Sequence, residues 1–364
     1  MSTTEAMVFS GVGAPLSSER LDVDEPRDDL VRVRIRASGV CHSDLHVVNG
    51  DWTAETPIVL GHEGSGEVEA AGPAVRDVRP GDHVVLSWFA PCRRCRACAS
   101  GRAWACAQTR SVENRLPDGS TPFRRADGGE VWPYLGLGTW AERVLVPESA
   151  VVPIPAGVPF GVAALIGCSV TTGVGAVLNT AGVRAGESAV VIGCGGVGQA
   201  ILLGLALVGA NPVVAVDLSE DRLAQARALG ATVTFRGDDE DLVDRVRDAT
   251  GGADHAFEAI GLPRTIEMLP ALLGAGGTAV VVGMPAIEAR ATFSPFDLAD
   301  QGKRILGCNY GSSVPGVDFP RIAALYLAGR LPLDRLIGRT RPLAEADEAL
   351  ADLTGAVGLR TILE

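Results

Sequence analysis

The stretch Ser188-Ala-Val-Val-Ile-Gly-Cys-Gly-Gly-Val-Gly198 decides the fold of this chain. Ala189 to Ile192 is a short, apolar, β-branched run, the pattern of a strand covered on both faces, and the glycines after it predict a tight turn into a helix. Gly193, Gly195 and Gly198 have the G-x-G-x-x-G spacing. Gly193 permits the sharp turn, Gly195 lets a pyrophosphate approach the backbone, and Gly198 allows close packing of helix on strand, with Gly196 and Val197 completing the turn. Glycine-rich turns also end ordinary strands, so the next 20 residues carry the reading. Ile201 to Val208 continues the helix, Pro212 to Val216 is a second apolar strand, and Asp217 closes it about 20 residues on, where an acid grips an adenosine ribose. A carboxylate there favours NAD and repels the 2′-phosphate of NADP. Arg222 is the nearby basic residue that keeps NADP open.

A chain of 364 residues carries about two domains, and 47% apolar residues suffice for large cores. Acidic residues outnumber basic ones 44 to 32, and no basic block marks nucleic acid or an anionic membrane as a partner. The first residues, Met-Ser-Thr-Thr-Glu-Ala, lack the pattern of a signal peptide, and no uninterrupted apolar run is long enough to span a bilayer. A cytoplasmic protein is expected, in which cysteines serve metals or catalysis more often than disulfides.

Met7 to Arg36 reads as short strands and turns, an all-β opening. Gly39-Val-Cys-His-Ser-Asp-Leu-His46 then packs a thiol, two imidazoles, a hydroxyl and a carboxylate into one loop or helix start. Pro57-Ile-Val-Leu-Gly-His-Glu-Gly-Ser-Gly66 adds a histidine ringed by glycines and followed by an acid. Cys41 and His62 together make two parts of a nitrogen–sulfur metal site; each by itself would pass for a packing or turn residue. Asp44 and Glu63 are natural carboxylate partners for a metal-bound imidazole. His83, in a turn leading into a strand, reads as structural.

The sharpest spacing is Cys92-x-x-Cys95-x-x-Cys98 followed by Cys106, which fits a closed four-thiolate zinc site that stabilises a loop and does no chemistry. Disulfides are the other reading. The residues from Gln108 to Tyr134, rich in Gly, Pro, Asp and Arg, read as an excursion over the surface. Cys168, just before the glycine-rich segment, reads either as a small buried residue or as a third metal ligand. Beyond Asp217 strands and helices alternate: helix 221–229, strand 254–259, helix 264–273, strand 278–282 and strand 304–308, as in a parallel, doubly wound sheet. Cys194 and Cys308 read as packing residues. A helix from Phe319, a strand near Leu336, a helix near 344–353 and the strand 360–363 close the chain.

Cys41, Gly61-His62-Glu63, the four-cysteine loop, Cys168 and the Gly193–Gly198 turn resemble, in that order, the zinc-containing medium-chain alcohol dehydrogenases, over essentially the whole chain. The excursion with Leu116-Pro-Asp-Gly119 and the Gly167-Cys168 pair is similar to the branch holding animal alcohol dehydrogenases and glutathione-dependent formaldehyde dehydrogenases, which is usually dimeric and prefers NAD. The resemblance implies an α/β architecture in two parts. Residues 1–169 and 313–364 would form a GroES-like, β-rich catalytic domain with the zinc loop 91–107, and residues 170–312 a Rossmann NAD-binding domain.

The resemblance also implies two zinc ions, one structural on Cys92, Cys95, Cys98 and Cys106, and one catalytic on Cys41, His62 and Cys168 with Glu63 beside it. Ser43 would relay the alcohol proton and His46 would pass it to solvent; Thr172 would contact the nicotinamide, and Arg360 with His42 the pyrophosphate. Trp88, Tyr134, Leu135 and Met284 fall where members line the substrate pocket, Met284 counting also among the cofactor contacts. The implied activity is reversible hydride transfer between a small primary, allylic or aromatic alcohol or its aldehyde and NAD, by a homodimer. One departure bears on the substrate: the acid that glutathione-dependent members carry after the first zinc ligand is here Trp52, with Asp51 adjacent. Other readings are a thiol-adduct formaldehyde dehydrogenase, a zinc-free enone or quinone reductase, and a nucleotide sensor without activity.

Overall fold

The computed structural model describes residues 2–355 and 359–364. It divides into two compact units: Met1–Ser169 with Val314–Gly329 and Leu333–Glu364, and Val170–Ser313 with Arg330–Pro332.

The first unit is built on β-structure. Strands Ser2–Phe9, Ser17–Val23, Phe123–Arg124, Glu130–Pro133 and Ile58–Val59 close a barrel, and seven further strands form a second sheet around Leu30–Gly39 and Glu63–Ala71. The chain's last strand, Arg360–Leu363, pairs antiparallel with Leu30–Gly39, setting Ile362 opposite Gly39. That pairing brings residue 360 beside the loop holding Cys41, 319 positions earlier in sequence. The core includes Phe9, Leu60, Phe123, Trp140 and Leu145, all essentially inaccessible. Each such side chain contributes about 1.5–3 kcal/mol on burial.

The excursion expected at Gln108–Tyr134 is more structured than its composition suggested. Two of the barrel strands lie inside it, and Leu116, Phe123 and Val131 are fully buried. Strands this short leave no alternation for a sequence reading to detect.

The second unit carries a six-stranded parallel sheet in the order Val233–Arg236, Val213–Asp217, Ala189–Ile192, Ala253–Glu258, Leu273–Val281, Arg304–Gly307. Numbered along the chain, that is 3-2-1-4-5-6, the order of a doubly wound dinucleotide fold, in which ligands bind at the carboxyl ends where the order reverses. Val233–Arg236 and the helix Leu242–Thr250 had no sequence expectation. The strand is half-buried throughout, so its apolar signal is weak.

The helical run Phe160–Ala181 spans 22 residues with a mean hydropathy of 1.8, enough by length and composition to cross a membrane. Small residues and threonines interrupt its apolar run, so the sequence shows no continuous apolar segment there. As 83% of its apolar window is buried inside the protein, its apolarity is that of a core helix.

Candidate zinc centre and dinucleotide turn

Cys41 is the N-cap of the helix His42–Asn49. Its backbone N–H donates to Asp44 Oδ2 at 3.1 Å. The other oxygen of Asp44 accepts from Gly61 N at 3.0 Å and from His62 Nδ1 at 3.2 Å. One fully buried carboxylate therefore ties the segment bearing Cys41 to the segment bearing His62 and, because Nδ1 is the donor, leaves Nε2 for a ligand.

That Nε2 atom is buried and has no hydrogen-bond partner. Ligand atoms of Cys41, His62, Glu63 and Cys168 all lie within 4.8 Å of one another, and all four residues are buried. A soft sulfur–nitrogen donor set around an imidazole nitrogen with no partner fits zinc. The charges agree. The Cys168 thiol donates toward Cys41, which holds Cys41 well below the usual thiol range and pushes Cys168 well above it. Burial opposes charge on His62, but the Asp44 carboxylate overrides it and raises the imidazole well above its ordinary value. Burial also pushes the Glu63 carboxyl up to about 7, against the pull of Arg360.

Arg360, expected at a pyrophosphate, makes its contacts here among the candidate metal ligands. Its Nη1 donates to Val40 O at 2.7 Å, and its Nη2 donates to Glu63 Oε1 at 2.6 Å and to Cys41 Sγ at 3.5 Å. Both terminal nitrogens are thus engaged around the candidate metal ligands, and the residue is only 4% exposed. The strand pairing of Arg360–Leu363 is what places it there.

Of the other expected residues, Ser43 and Tyr134 touch the same centre. Ser43 Oγ lies 3.7 Å from Cys41 Sγ. Tyr134 is buried, its hydroxyl donates to Ser43 O at 3.0 Å, and its ring meets His62 edge-on with centroids 5.5 Å apart. Trp88 is half-buried with Phe89 against its ring, and Leu135 is half-buried with its N–H on Asn114 Oδ1 at 2.8 Å. His42 is exposed on the first turn of the helix, and His46 is in its last turn.

The second cluster is Cys92, Cys95, Cys98 and Cys106. Sulfur separations are 3.6 Å for Cys95–Cys98, 3.9 Å for Cys95–Cys106 and 4.0 Å for Cys92–Cys98. A zinc tetrahedron with bonds of about 2.3 Å has edges of about 3.8 Å, whereas a disulfide closes to about 2.05 Å. The geometry is therefore that of metal ligands. Backbone N–H groups of Cys92 and Cys95 donate to the sulfurs of Cys106 and Cys92 at 3.4 and 3.3 Å, stabilising negative charge there.

In the second unit Gly195 caps the helix Gly196–Val208. A Cβ on Gly198 would lie 1.8 Å from Gly193 O, so close packing accounts for that glycine. A Cβ on Gly195 would meet nothing within 4 Å. Packing therefore does not account for that glycine, and the space beside it is open at the helix N-terminus, as a cradle for an anion requires. Asp217 ends its strand with Oδ2 accepting from Cys194 N at 2.7 Å and Oδ1 from Ser219 N at 2.9 Å, and Arg222 approaches Oδ2 at 3.9 Å. Thr172 is half-buried in the helix Thr171–Gly175, and Met284 is 57% exposed after the strand Leu273–Val281.

Glu258 was missed. It ends the central strand Ala253–Glu258, is fully buried, and its Oε1 accepts from Ile260 N, Gly261 N and Thr265 Oγ1 at 3.0, 2.8 and 2.7 Å. An acid inside the expected strand 254–259, three residues before Gly261, was its only trace in the sequence.

Comparison with known proteins agrees with this geometry. Residues 27–156 match the alcohol dehydrogenase GroES-like domain, and residues 196–327 match the zinc-binding dehydrogenase domain. An NDMA-dependent alcohol dehydrogenase of Amycolatopsis methanolica is 36% identical over 99% of this chain and 98% of its own. An S-(hydroxymethyl)glutathione dehydrogenase of Paracoccus denitrificans is 32% identical over 99% of both. The crystal structure of benzyl alcohol dehydrogenase from Acinetobacter calcoaceticus superposes with a TM-score of 0.93 at 32% identity, over 100% of this chain and 99% of that one. The chain belongs to the zinc-binding alcohol dehydrogenases. It is an oxidoreductase whose cofactors are zinc and NAD.

Proposed function

We propose that the chain interconverts a primary alcohol, allylic or aromatic, with its aldehyde, using NAD as hydride acceptor. The observation that carries this is the buried His62 Nε2, without a partner, beside Cys41 and Cys168 and against the Tyr134 ring. When bound, zinc on Cys41, His62 and Cys168 supplies a Lewis acid that makes an alcohol hydroxyl more acidic, and NAD takes the hydride. The chain's own residues do the rest. Asp44 fixes the His62 tautomer and Arg360 neutralises the Glu63 and Cys41 charges. Ser43 and His46, three residues apart on one helix face, carry the hydroxyl proton outward.

The resemblance puts Trp88, Tyr134 and Leu135 in the lining of the substrate pocket, an apolar set that suits an aromatic or allylic chain, and the likeness to a benzyl alcohol dehydrogenase supports it. Asp217, with Arg222 drawn toward it, favours NAD over NADP. The thiol-adduct reading is weaker. Trp52 stands where glutathione-dependent members carry an acid, and the adjacent Asp51 is engaged by His46 at 2.9 Å. We also propose a homodimer; the support is the family resemblance together with the edge strand Arg304–Gly307, which has one neighbour in its sheet.

The test is zinc content of wild type and of Cys41→Ser, with NADH formation across aliphatic, allylic and aromatic primary alcohols. Two zincs in wild type, one in the variant, and activity in wild type only are expected. Full activity in the variant, or wild type holding only the four-cysteine zinc, would overturn the reading in favour of a zinc-free reductase or a sensor.

A further inference from the structure

The helix His42–Asn49 ends at Gly50, whose φ of 79° and N–H bond to Val47 O turn the chain back over the last helical turn. A left-handed residue is needed for this reversal, and glycine adopts it without a Cβ clash. The reversal sets Trp52 N on His46 O at 3.1 Å. Asp51 Oδ2 then lies 2.9 Å from His46 Nδ1, and the Trp52 ring stacks on the imidazole with centroids 4.6 Å apart and planes 27° apart. Four consecutive features, a cap, a backbone bond, a side-chain hydrogen bond and a stacked ring, hold one histidine in one orientation. An exposed contact of this kind by itself is worth little. Here the backbone and the indole fix both partners before the pair forms.

We propose that Asp51 and Trp52 are positioning residues for His46, making a His46–Asp51 dyad the outer end of the proton path; this rests on the function proposed above. Oxidation of the alcohol breaks one C–H and one O–H bond, and the hydride leaves with its electron pair for the nicotinamide. The hydroxyl proton remains to be moved. Asp51 accepts the Nδ1 hydrogen and so keeps Nε2 free to take that proton. His46, with 27% of its side chain exposed, and Asp51, with 45%, then return one proton to water. Trp52, stacked on the face of the imidazole, limits its tilt.

Two readouts test the dyad. Long-range ¹⁵N correlation spectra of the five histidines, with His46 assigned through His46→Gln, report the ring tautomer without any turnover. Wild type is expected to hold His46 with the hydrogen on Nδ1, and Asp51→Ala to lose that preference. In turnover, Asp51→Ala is expected to lower kcat for alcohol oxidation about 10-fold, less than the full worth of a general base. Added imidazole should restore most of the loss, Asp51→Glu should retain activity, and KM for NAD should not move. Asp51→Ala combined with His46→Gln should be no slower than His46→Gln. An unchanged tautomer in Asp51→Ala, an undiminished kcat, or a loss that imidazole does not restore would overturn the proposal. A wild type that oxidises no alcohol would instead overturn the function itself, and the tautomer measurement would still judge the dyad.

Discussion

Asp44 accepts a hydrogen bond from His62 Nδ1 at 3.2 Å, 18 residues on, while holding the backbone N–H groups of Cys41 and Gly61, so one carboxylate joins the segments bearing two candidate zinc ligands. All three of its partners are N–H donors. Asn in its place would set an NH2 group against one of them. Asp44→Asn is therefore expected to weaken the catalytic zinc about 10–100-fold, the usual cost of losing such a partner. Competition with a chelator measures it: the four-cysteine zinc should be retained and the other lost first. Equal retention of both zincs would show that Asp44 does not hold His62.

The four-cysteine loop gives a separable prediction. It shares no ligand with the Cys41 group, so Cys98→Ser should drop zinc from two to one per chain. Because a metal that closes a loop stabilises the native state directly, stability should fall by more than about 2 kcal/mol. Thermal unfolding followed with zinc analysis checks this, and turnover per remaining catalytic zinc should change little below the new transition. A variant with unaltered Tm would remove the structural role.

Gly195 and Gly198 are three residues apart and should respond in opposite ways to alanine. At Gly198 the new Cβ would sit 1.8 Å from Gly193 O, a backbone atom that cannot move without opening the turn, so Gly198→Ala should destabilise the nucleotide unit. At Gly195 the Cβ enters open space, so Gly195→Ala should unfold like wild type and lose NAD affinity at least about 10-fold. Calorimetry of NAD binding beside thermal unfolding separates the two. An unimpaired Gly195→Ala would show that the open space is not the cofactor's.

Glu258 offers a dependence on pH. Burial raises its carboxyl above the ordinary 4.5, outweighing the hydrogen bonds from Thr265, Gly261 and Ile260. The native state therefore keeps a proton that the unfolded chain has released. Between the unfolded and the raised folded value stability falls as pH increases. Glu258→Gln retains an acceptor for the three donors and cannot titrate, so its unfolding free energy should vary less with pH from 4.5 upward. Denaturant titrations at several pH values decide it, and identical slopes for the two proteins would refute the assignment.

Much of this protein is set by sequence because the deciding groups are local. The turn Gly193–Gly198, with Asp217 about 20 residues on, is a backbone requirement expressed in glycine spacing, and Cys92 to Cys106 reports a four-thiolate site within one loop. Neighbouring residues also specify Cys41 as helix cap with Asp44 answering it three positions later. Tertiary structure decided what depends on partners distant in the chain. Arg360 reaches Glu63 and Cys41 only because the final strand pairs with Leu30–Gly39, and no local pattern encodes the partner of an edge. Glu258 became a buried clamp because its strand lies at the sheet's centre, and Asp51 became a partner of His46 because Gly50 reverses the chain. Residue type sets which hydrogen bonds and charges are available, and burial within the folded chain sets which of them must be satisfied, and by whom.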